Sequence, residues 1–420
     1  MTVTSKPTPT EAIVPERRSG MFTPFRYRDY RLLWMGLLVS NFGTWMQFTA
    51  LGYFVVSLAP TARLGAFEIG LLGASRALPV LLLSPFAGVV ADRFPRKRIL
   101  LTTNVVNSVL ALALALVSSS HHATLGLVFL ISGLQAGTQA FDAPARQSWV
   151  PLLVPREYVG NAIGLNSLAF NGPSVLGPPV AGFLIAATGV APSFYINAAA
   201  TLAVLIALVA MKPSPPVPST REPFLRSITG GVTMLFAHPV LRWIILLLIV
   251  TSLLLRPYNF LLPAYAAHVV HVDAKGLGWL MAAAGFGAIG GAVLTAAYTG
   301  TRRSGLWFWS GIAMALGVIL LGVTQQFFVA VIALAIIGMS SLTFIGCSNI
   351  LIQTLSPDEM RGRAVAVYSM VLLGLIPAGS LLVGSIAAII GLHEAFIIAG
   401  IVCVLVSIWM YMANPRLREA

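Results

Sequence analysis

Long apolar stretches separated by short basic segments dominate this sequence of 420 residues. Only 9% of the residues are charged and 57% are hydrophobic, whereas an ordinary soluble domain has about 25% charged residues. So few charges cannot cover a water-facing surface of this size, and the apolar residues must therefore face lipid. The sequence predicts an all-α membrane protein.

Stretches of about 20 mostly apolar residues predict roughly twelve membrane spans. They are expected near 32–58, 68–91, 99–118, 124–145, 162–188 and 192–211, and near 240–264, 276–299, 305–323, 327–353, 364–390 and 395–413. Spans five and eleven are rich in glycine, so hydropathy is expected to be weakest there. The predicted organisation is a tail with an interfacial segment (1–31), an N-terminal six-helix bundle (32–211), a linker (212–239), a C-terminal six-helix bundle (240–413) and a tail (414–420).

The basic residues predict how the chain is oriented. A net charge of +13 in a soluble protein would suggest nucleic acid as a partner, but here Lys and Arg cluster between the apolar stretches. If the N-terminus is inside, 22 of the 26 basic residues lie on the inner side, and only Arg63 and Lys275 lie in outer loops. This bias predicts cytoplasmic termini in a bacterial-type plasma membrane. We expect the lipid bilayer, and no nucleic acid, as the surrounding partner.

A duplication relates the two halves of the chain. When the sequence is shifted by 202 residues, 153–196 aligns with 355–398 without a gap, and thirteen of 44 positions are identical. Five of these identities are glycines, which shared hydrophobicity would not align. Parallel halves of this kind occur in secondary transporters, where the substrate path lies between them. A repeat kept only for packing is the alternative, but it does not explain the flexible linker between the bundles.

A charged motif stands at the end of span two. The run Gly88-Val-Val-Ala-Asp92-Arg93-Phe-Pro-Arg96-Lys97-Arg98 places an Asp at the C-terminal end of its own helix, where the macrodipole favours cations. The run resembles the loop signature between helices two and three of the major facilitator superfamily, although Pro95 stands where that family usually has Gly. The resemblance implies a conformational gate between the halves, formed here by Gly88, Asp92, Arg93, Arg96 and Lys97. The alternative is a basic anchor with an incidental Asp.

Glycines and prolines form a second motif in span five. Gly177-Pro178-Pro179-Val180-Ala181-Gly182 is similar to the antiporter signature of the same superfamily, and a purely structural kink is the alternative. The predicted helix-packing positions of this motif and its repeat are Gly172, Gly177, Pro178, Gly182, Gly374, Gly379 and Gly384. With the stretch 146–151 and the duplicated Pro-x-Glu segments, the chain resembles the branch that contains enterobactin exporters, macrolide-efflux proteins and transmembrane secretion effectors. That resemblance implies twelve helices in two pseudo-symmetric six-helix bundles.

Arg76 and Arg256 are the only basic residues within the predicted spans, and both are placed in the outer parts of their spans, Arg76 about 12 Å deep. Each costs about 2.5–3.5 kcal/mol at a helix centre unless it finds a partner or water. One or both are predicted to bind an anionic group of the substrate, and the alternative is snorkelling to the outer headgroups. The neutral residues of the candidate path are Asn41, Gln47, Gln135, Gln139 and Asn166.

No Asp or Glu lies at the middle of a predicted span, so a mid-membrane proton carrier is not supported. If protons are used, Glu68, Asp92 or Asp142 must carry them. The spacing of Asp142 and Arg146 permits an ion pair on a helix, although Pro144 between them favours a helix end.

These observations together predict a secondary active transporter that exports small amphipathic molecules, either a drug-like compound or a siderophore, by alternating access with proton coupling. An importer or uniporter of the same fold and a non-transporting membrane receptor or scaffold are the alternatives. The chain has no Gly-x-x-x-x-Gly-Lys-Ser/Thr loop and no catalytic pair at membrane depth, so neither ATP drive nor an enzyme is predicted. His268, His271 and Asp273 lie in one outer loop, but we predict no metal site and no cofactor, and we expect a monomer.

Overall fold

The computed structural model of the chain describes residues 20–59, 61–120, 123–212, 224–298, 303–357, 359–415 and 417. Within these ranges it contains fourteen α-helices and no strand, which confirms the all-α prediction. Some side chains inside the helices lie outside the described part, and these include the predicted gate residues Gly88, Asp92 and Arg93.

The first half consists of six long helices. They are α1 (Arg28–Leu58), α2 (Ala62–Arg93), α3 (Arg96–Ser119), α4 (Leu125–Trp149), α5 (Val159–Thr188) and α6 (Ala191–Ala210). Most of them extend beyond the predicted spans, because polar residues continue a helix where hydropathy no longer detects it. Helix α4 passes through Pro144, since a proline removes only one backbone hydrogen bond and neighbouring helices compensate for the loss in a membrane bundle.

The predicted linker contains a helix that the sequence pattern did not suggest. Helix α7 (Phe224–Ala237) lies in the C-terminal part of 212–239 and packs against the second half. A Cβ added at its Gly231 would be 2.7 Å from the carbonyl oxygen of Arg363, so the two backbones are in direct contact. Helix α7 is therefore a structural part of the second half.

The second half continues with seven helices, two of which share one membrane crossing. They are α8 (Leu241–Leu254), α9 (Tyr258–His268), α10 (Ala274–Ala297), α11 (Arg303–Val323), α12 (Phe327–Leu355), α13 (Arg361–Ile390) and α14 (Leu392–Ala413). Span seven is thus broken between α8 and α9, although the two helices together form one candidate crossing, Leu241–His268. The break occurs because Pro257 has no N–H, and the N–H of Arg256 bonds to the carbonyl oxygen of Thr251, five residues earlier, at 3.0 Å.

Ten helical segments of the described chain are long and apolar enough to cross a membrane, among them α5, α13 and the combined Leu241–His268 segment. Helices α1 and α4 are not among the ten, because polar side chains interrupt their apolar sequence. The expectation that hydropathy is weakest at spans five and eleven is therefore wrong. The membrane-spanning fold is confirmed, while the number twelve stays a prediction for α1 and α4.

The duplication is visible in how equivalent glycines pack. Gly177 of α5 lies against Trp45 of α1, and Gly379 of α13, 202 residues later, lies against Leu253 of α8. The helices α5 and α13 also end alike, at Gly189 with φ 84° and at Gly391 with φ 110°. Only glycine adopts such a positive φ without strain at a helix end, which accounts for this identity in the repeat.

Candidate functional site

The two halves meet along a surface that we call the seam, formed mainly by α2 with α13 and α5 with α10. We call the side of the bundle at which α1 begins and α14 ends the terminal side, and the opposite side the far side. Because span five corresponds to span eleven in the repeat, and span two to span eight, the two contacts of the seam are equivalent by duplication.

Glycine pairs bring the backbones together at both contacts of the seam. A Cβ added at Gly384 of α13 would be 2.8 Å from the carbonyl oxygen of Ala66 and 3.2 Å from the Cα of Gly70, both on α2. A Cβ at Gly182 of α5 would be 3.1 Å from the Cα of Gly278 on α10. All four glycines lie within eight residues of the far-side end of their helices, so the seam is closed on the far side.

The predicted packing glycines therefore divide into two kinds. Gly182 and Gly384 contact the opposite half, whereas Gly177 and Gly379 contact helices of their own half. Among the described atoms, the neighbour of Gly172 is Leu168 of its own helix, so this glycine belongs to neither kind. Pro178 contributes to the seam through its carbonyl oxygen, which lies 3.0 Å from a Cβ added at Gly278.

A small cavity of about 10 Å³, with room for roughly one water molecule, lies between the halves next to the seam. Its lining comes from α1, α2, α9 and α10: Phe48, Leu51, Gly52, Ile69, Leu72, Arg76, Asn259, Phe260, Pro263 and Met281. The rings of Phe48 and Phe260 meet across the halves at 5.4 Å between centroids with an interplanar angle of 82°. The cavity is thus largely apolar and aromatic, with one cation and one amide.

Arg76 is the cation of this cavity and lies deeper than predicted. The apolar part of α2 is Leu64–Ser84, so Arg76 is 12 residues, or about 18 Å, from one end and eight residues, or about 12 Å, from the other. No hydrogen bond or ion pair to Arg76 occurs among the described residues. Snorkelling would require its guanidinium to span about 12 Å to the nearer end of this apolar segment.

Arg256 differs from Arg76 because its guanidinium donates a hydrogen bond within the protein. It lies at the break between α8 and α9, near the middle of the Leu241–His268 span and not in its outer part as predicted. Its Nη1 donates to the carbonyl oxygen of Leu372 on α13 at 3.0 Å. Arg256 therefore ties the broken crossing to α13.

Two of the neutral candidates belong to a buried network inside the first half. Gln47 of α1 donates to the side-chain oxygen of Gln135 on α4 at 2.8 Å, and Asn197 of α6 donates to Gln47 at 2.6 Å. These bonds join α1, α4 and α6 inside the first half. Gln139 is exposed and Asn166 is half-buried.

Asn41 compensates for a proline in the neighbouring helix. Pro173 of α5 has no N–H, so the carbonyl oxygen of Ala169, four residues earlier, lacks its helical partner. The Nδ2 of Asn41 donates to that oxygen at 3.0 Å. A neighbouring side chain that satisfies a freed carbonyl is what permits proline within a membrane helix.

Polar contacts on the terminal side involve several predicted residues. Asp142 and Arg146 form an ion pair at 3.4 Å, and Asp142 also accepts hydrogen bonds from Thr103 and Asn104 at 3.2 and 3.0 Å. The pair is a charge contact without hydrogen-bond geometry, since the Nε of Arg146 has no hydrogen-bond partner. It forms because α4 continues past Pro144 and keeps both residues on one helical face.

The remaining gate and proton candidates are placed as follows. Arg96 donates to Ser148 Oγ at 2.9 Å, and Lys97 donates to the carbonyl oxygen of Met211 at 2.5 Å, so both connect α3 to other elements of the first half. One carboxylate oxygen of Glu68 is buried without a hydrogen-bond partner among the described residues. In the far-side loop, Asp273 accepts a bond from the N–H of Gly276 at 3.0 Å and caps α10.

Sequence reasoning did not identify the aromatic wall of the cavity. Phe48, Phe260 and Met281 are apolar residues in apolar spans, so nothing in the sequence distinguishes them from residues that face lipid. Asn259 was the available signal, since an amide inside a span needs a partner or a polar cavity.

Comparison with known proteins agrees with this fold. A profile of the family described as transmembrane secretion effector matches residues 19–420. The chain is 28% identical over 392 residues to the uncharacterised MFS-type transporter YfiS of Bacillus subtilis (strain 168), which covers 88% of this chain and 89% of the relative. It is 27% identical over 348 residues to the enterobactin exporter EntS of Shigella boydii serotype 4 (strain Sb227), covering 82% and 80%. A crystal structure of a D-xylose-proton symporter superposes with a TM-score of 0.74 at 16% identity, over 94% of this chain and 99% of the other.

Proposed function

Because the chain belongs to the transmembrane secretion effector family of major facilitator transporters, we propose that it is a proton-coupled exporter of small amphipathic molecules. The observation that carries this proposal is the pair of equivalent glycine contacts at Gly182 and Gly384, which close the far side of the seam. Two bundles that touch through duplicated contacts can rock about the cavity between them and open it to either side in turn.

The proposed orientation of the chain rests on its charge distribution. The segments that the sequence assigns to the side of both termini contain 22 of the 26 basic residues, so we place that side in the cytoplasm of a bacterial inner membrane. In the described state the far side is closed, and the first half (32–211) and second half (240–413) rock apart there to release substrate. The Gly88, Asp92, Arg93, Arg96 and Lys97 motif, whose first three side chains lie outside the described residues, would close the terminal side in the opposite state.

The cavity supports an amphipathic substrate. Eight of its ten lining residues are apolar, and the other two are Arg76 and Asn259, which is the usual composition of a small-molecule site. The related enterobactin exporter supports a siderophore-like cargo within this class. A monomer is sufficient, because each chain supplies both walls of the cavity.

Coupling to protons requires a carboxyl group whose environment changes between states. Among Glu68, Asp92 and Asp142, we favour Glu68, because one of its oxygens is buried without a described partner, whereas Asp142 is held by three groups. Replacing Glu68 with Gln would then abolish proton-driven export and leave exchange of substrate for substrate intact.

Export is tested by comparing cells that lack the gene with cells that overexpress the chain. Accumulation of a panel of amphipathic dyes and catecholate siderophores is measured in both with and without a protonophore. Lower accumulation that the protonophore reverses supports the proposal. Higher accumulation would favour an importer, and unchanged accumulation across the panel would favour a receptor or scaffold.

A further inference from the structure

We propose that the cavity at Arg76 is a recognition subsite for an aromatic compound that carries an oxyanion. Arg76 binds the anion, and Phe48 and Phe260 separate so that the ring of the compound lies between them. This inference rests on the proposed transport function, because it names the substrate class of the same central cavity. It is carried by an unpaired cation at membrane depth beside an aromatic contact that crosses the halves.

The first step is the missing counter-ion of Arg76. A guanidinium carries five N–H donors and stays charged in proteins, and a charge within a membrane is costly without a partner or water. Glu68 lies eight residues away on the same helix, about 12 Å along its axis, and Asp142 is already held by Arg146, Thr103 and Asn104. No described carboxylate therefore pairs with Arg76, and a bound anion is the partner that the site lacks.

The second step is the contrast with Arg256, the other cation within a span. Arg256 donates to the carbonyl oxygen of Leu372 at 3.0 Å and so has a structural partner in the protein. Arg76 lines a cavity and has none among the described residues. The two arginines lie at similar depth, but only Arg256 has a hydrogen-bond partner among the described residues. Arg76 is therefore available to a ligand.

The third step is the shape of the walls next to Arg76. Phe48 comes from the first half and Phe260 from the second, and their rings meet edge to face. Trp45 extends this aromatic surface, with its ring 5.7 Å from that of Phe48. An aromatic ligand forms the same edge-to-face contacts with each ring, so it replaces the contact between the halves as it enters. Occupancy of the subsite then weakens a contact that holds the halves together.

The test measures binding to the purified full-length chain in lipid nanodiscs by calorimetry, with no gradient applied. The probes are naphthalene-2-carboxylate, its neutral isostere naphthalene-2-carboxamide, and the non-aromatic anion cyclohexanecarboxylate. The wild-type chain is expected to bind the first probe most tightly. Arg76→Gln is expected to weaken the carboxylate roughly 10- to 100-fold, as for loss of a charge-assisted hydrogen bond, and to leave the carboxamide unchanged.

Two further variants separate the contributions to the subsite. Phe260→Leu is expected to weaken both naphthalene probes by several-fold and to leave cyclohexanecarboxylate unchanged. Arg256→Gln is the matched control for a lost charge at membrane depth and is expected to change none of the three affinities. Thermal unfolding of each variant identifies any that does not fold, and Arg76→Lys, which retains the charge but not the planar fork, is expected to bind the carboxylate with intermediate affinity.

Equal binding of naphthalene-2-carboxylate and its carboxamide by the wild-type chain would overturn the inference, as would no binding of the carboxylate at millimolar concentration. Unchanged carboxylate affinity in Arg76→Gln would do the same. The outcome is distinguishable from that of the transport proposal, because binding is read without export. If the subsite binds as expected while cells show no export, the transport proposal fails and the subsite stands.

Discussion

A single methyl group at Gly384 should change which side of the transporter is open. The Cβ of alanine at this position would be 2.8 Å from the carbonyl oxygen of Ala66, whereas carbon–oxygen contacts between packed helices are about 3.3–3.6 Å. The two backbones would have to separate by about 0.5 Å, since neither atom belongs to a flexible side chain. Overpacking of this kind costs about 1–3 kcal/mol.

That cost applies only to the state in which the far side of the seam is closed. In Gly384→Ala the equilibrium should therefore move towards the far-side-open state by roughly five- to 150-fold, the factor that corresponds to 1–3 kcal/mol. The assay is the rate at which a membrane-impermeant maleimide labels a cysteine placed at Ala387, a buried far-side residue that lines a cavity. Cys347 and Cys403 are replaced by alanine beforehand; both are buried.

Two comparisons decide whether the reasoning holds. Gly362→Ala on the same helix should label at the wild-type rate, because nothing lies within 4 Å of the added methyl group. Gly182→Ala should accelerate labelling as Gly384→Ala does, because it is the equivalent position in the repeat. If Gly384→Ala labels no faster than Gly362→Ala, the glycine contact does not hold the far side closed.

Three other predictions concern the first half and the linker. Asn41→Leu leaves the carbonyl oxygen of Ala169 without its partner and should lower stability by about 0.5–2 kcal/mol in thermal unfolding. An unchanged unfolding temperature would show that Asn41 does not compensate for Pro173. The effects of Asp142→Asn and Arg146→Gln on the free energy of unfolding should be non-additive in a double-mutant cycle, with a coupling energy of about 0.5–3 kcal/mol. Additive effects would show that the ion pair does not contribute to stability. His238 Nδ1 accepts bonds from the first N–H groups of α8, and burial lowers its pKa. The unfolded chain therefore binds the proton more strongly, so stability is full above the ordinary pKa of about 6.5 and falls as the pH drops below it; His238→Gln should lack this dependence.

The sequence was sufficient for features that depend on composition and local pattern. The all-helical membrane fold and the family resemblance are confirmed, because lipid imposes long apolar segments and the duplication aligns glycines with positive φ or close backbone contact. The spacing of Asp142 and Arg146 alone indicated the ion pair between them. The pair forms although Pro144 lies between its members, because α4 continues through that proline.

Other features depend on which helices meet in space, and these were not predictable. The spacing of the glycines could not show that Gly182 and Gly384 face the opposite half while Gly177 and Gly379 face their own. The partner of Arg256 could not be predicted either, because the carbonyl oxygen that accepts its hydrogen bond belongs to Leu372 of α13. Helix α7 was overlooked because the Pro-rich stretch before it suggested a linker throughout. The low hydropathy of α1 and α4 comes in part from Gln47 and Gln135, whose bond to each other only the structure reveals.

The distribution of hydrogen bonds has a consequence for how the protein can switch. Each half is held by strong internal bonds, such as those of Gln47 and of Trp307 with Ser348. Across the seam, the hydrogen bond found between described residues is the weak one from Thr49 Oγ1 to the sulfur of Met281 at 3.5 Å. The proposed rocking of the two halves would therefore break few hydrogen bonds between them, while the bonds within each half could stay intact.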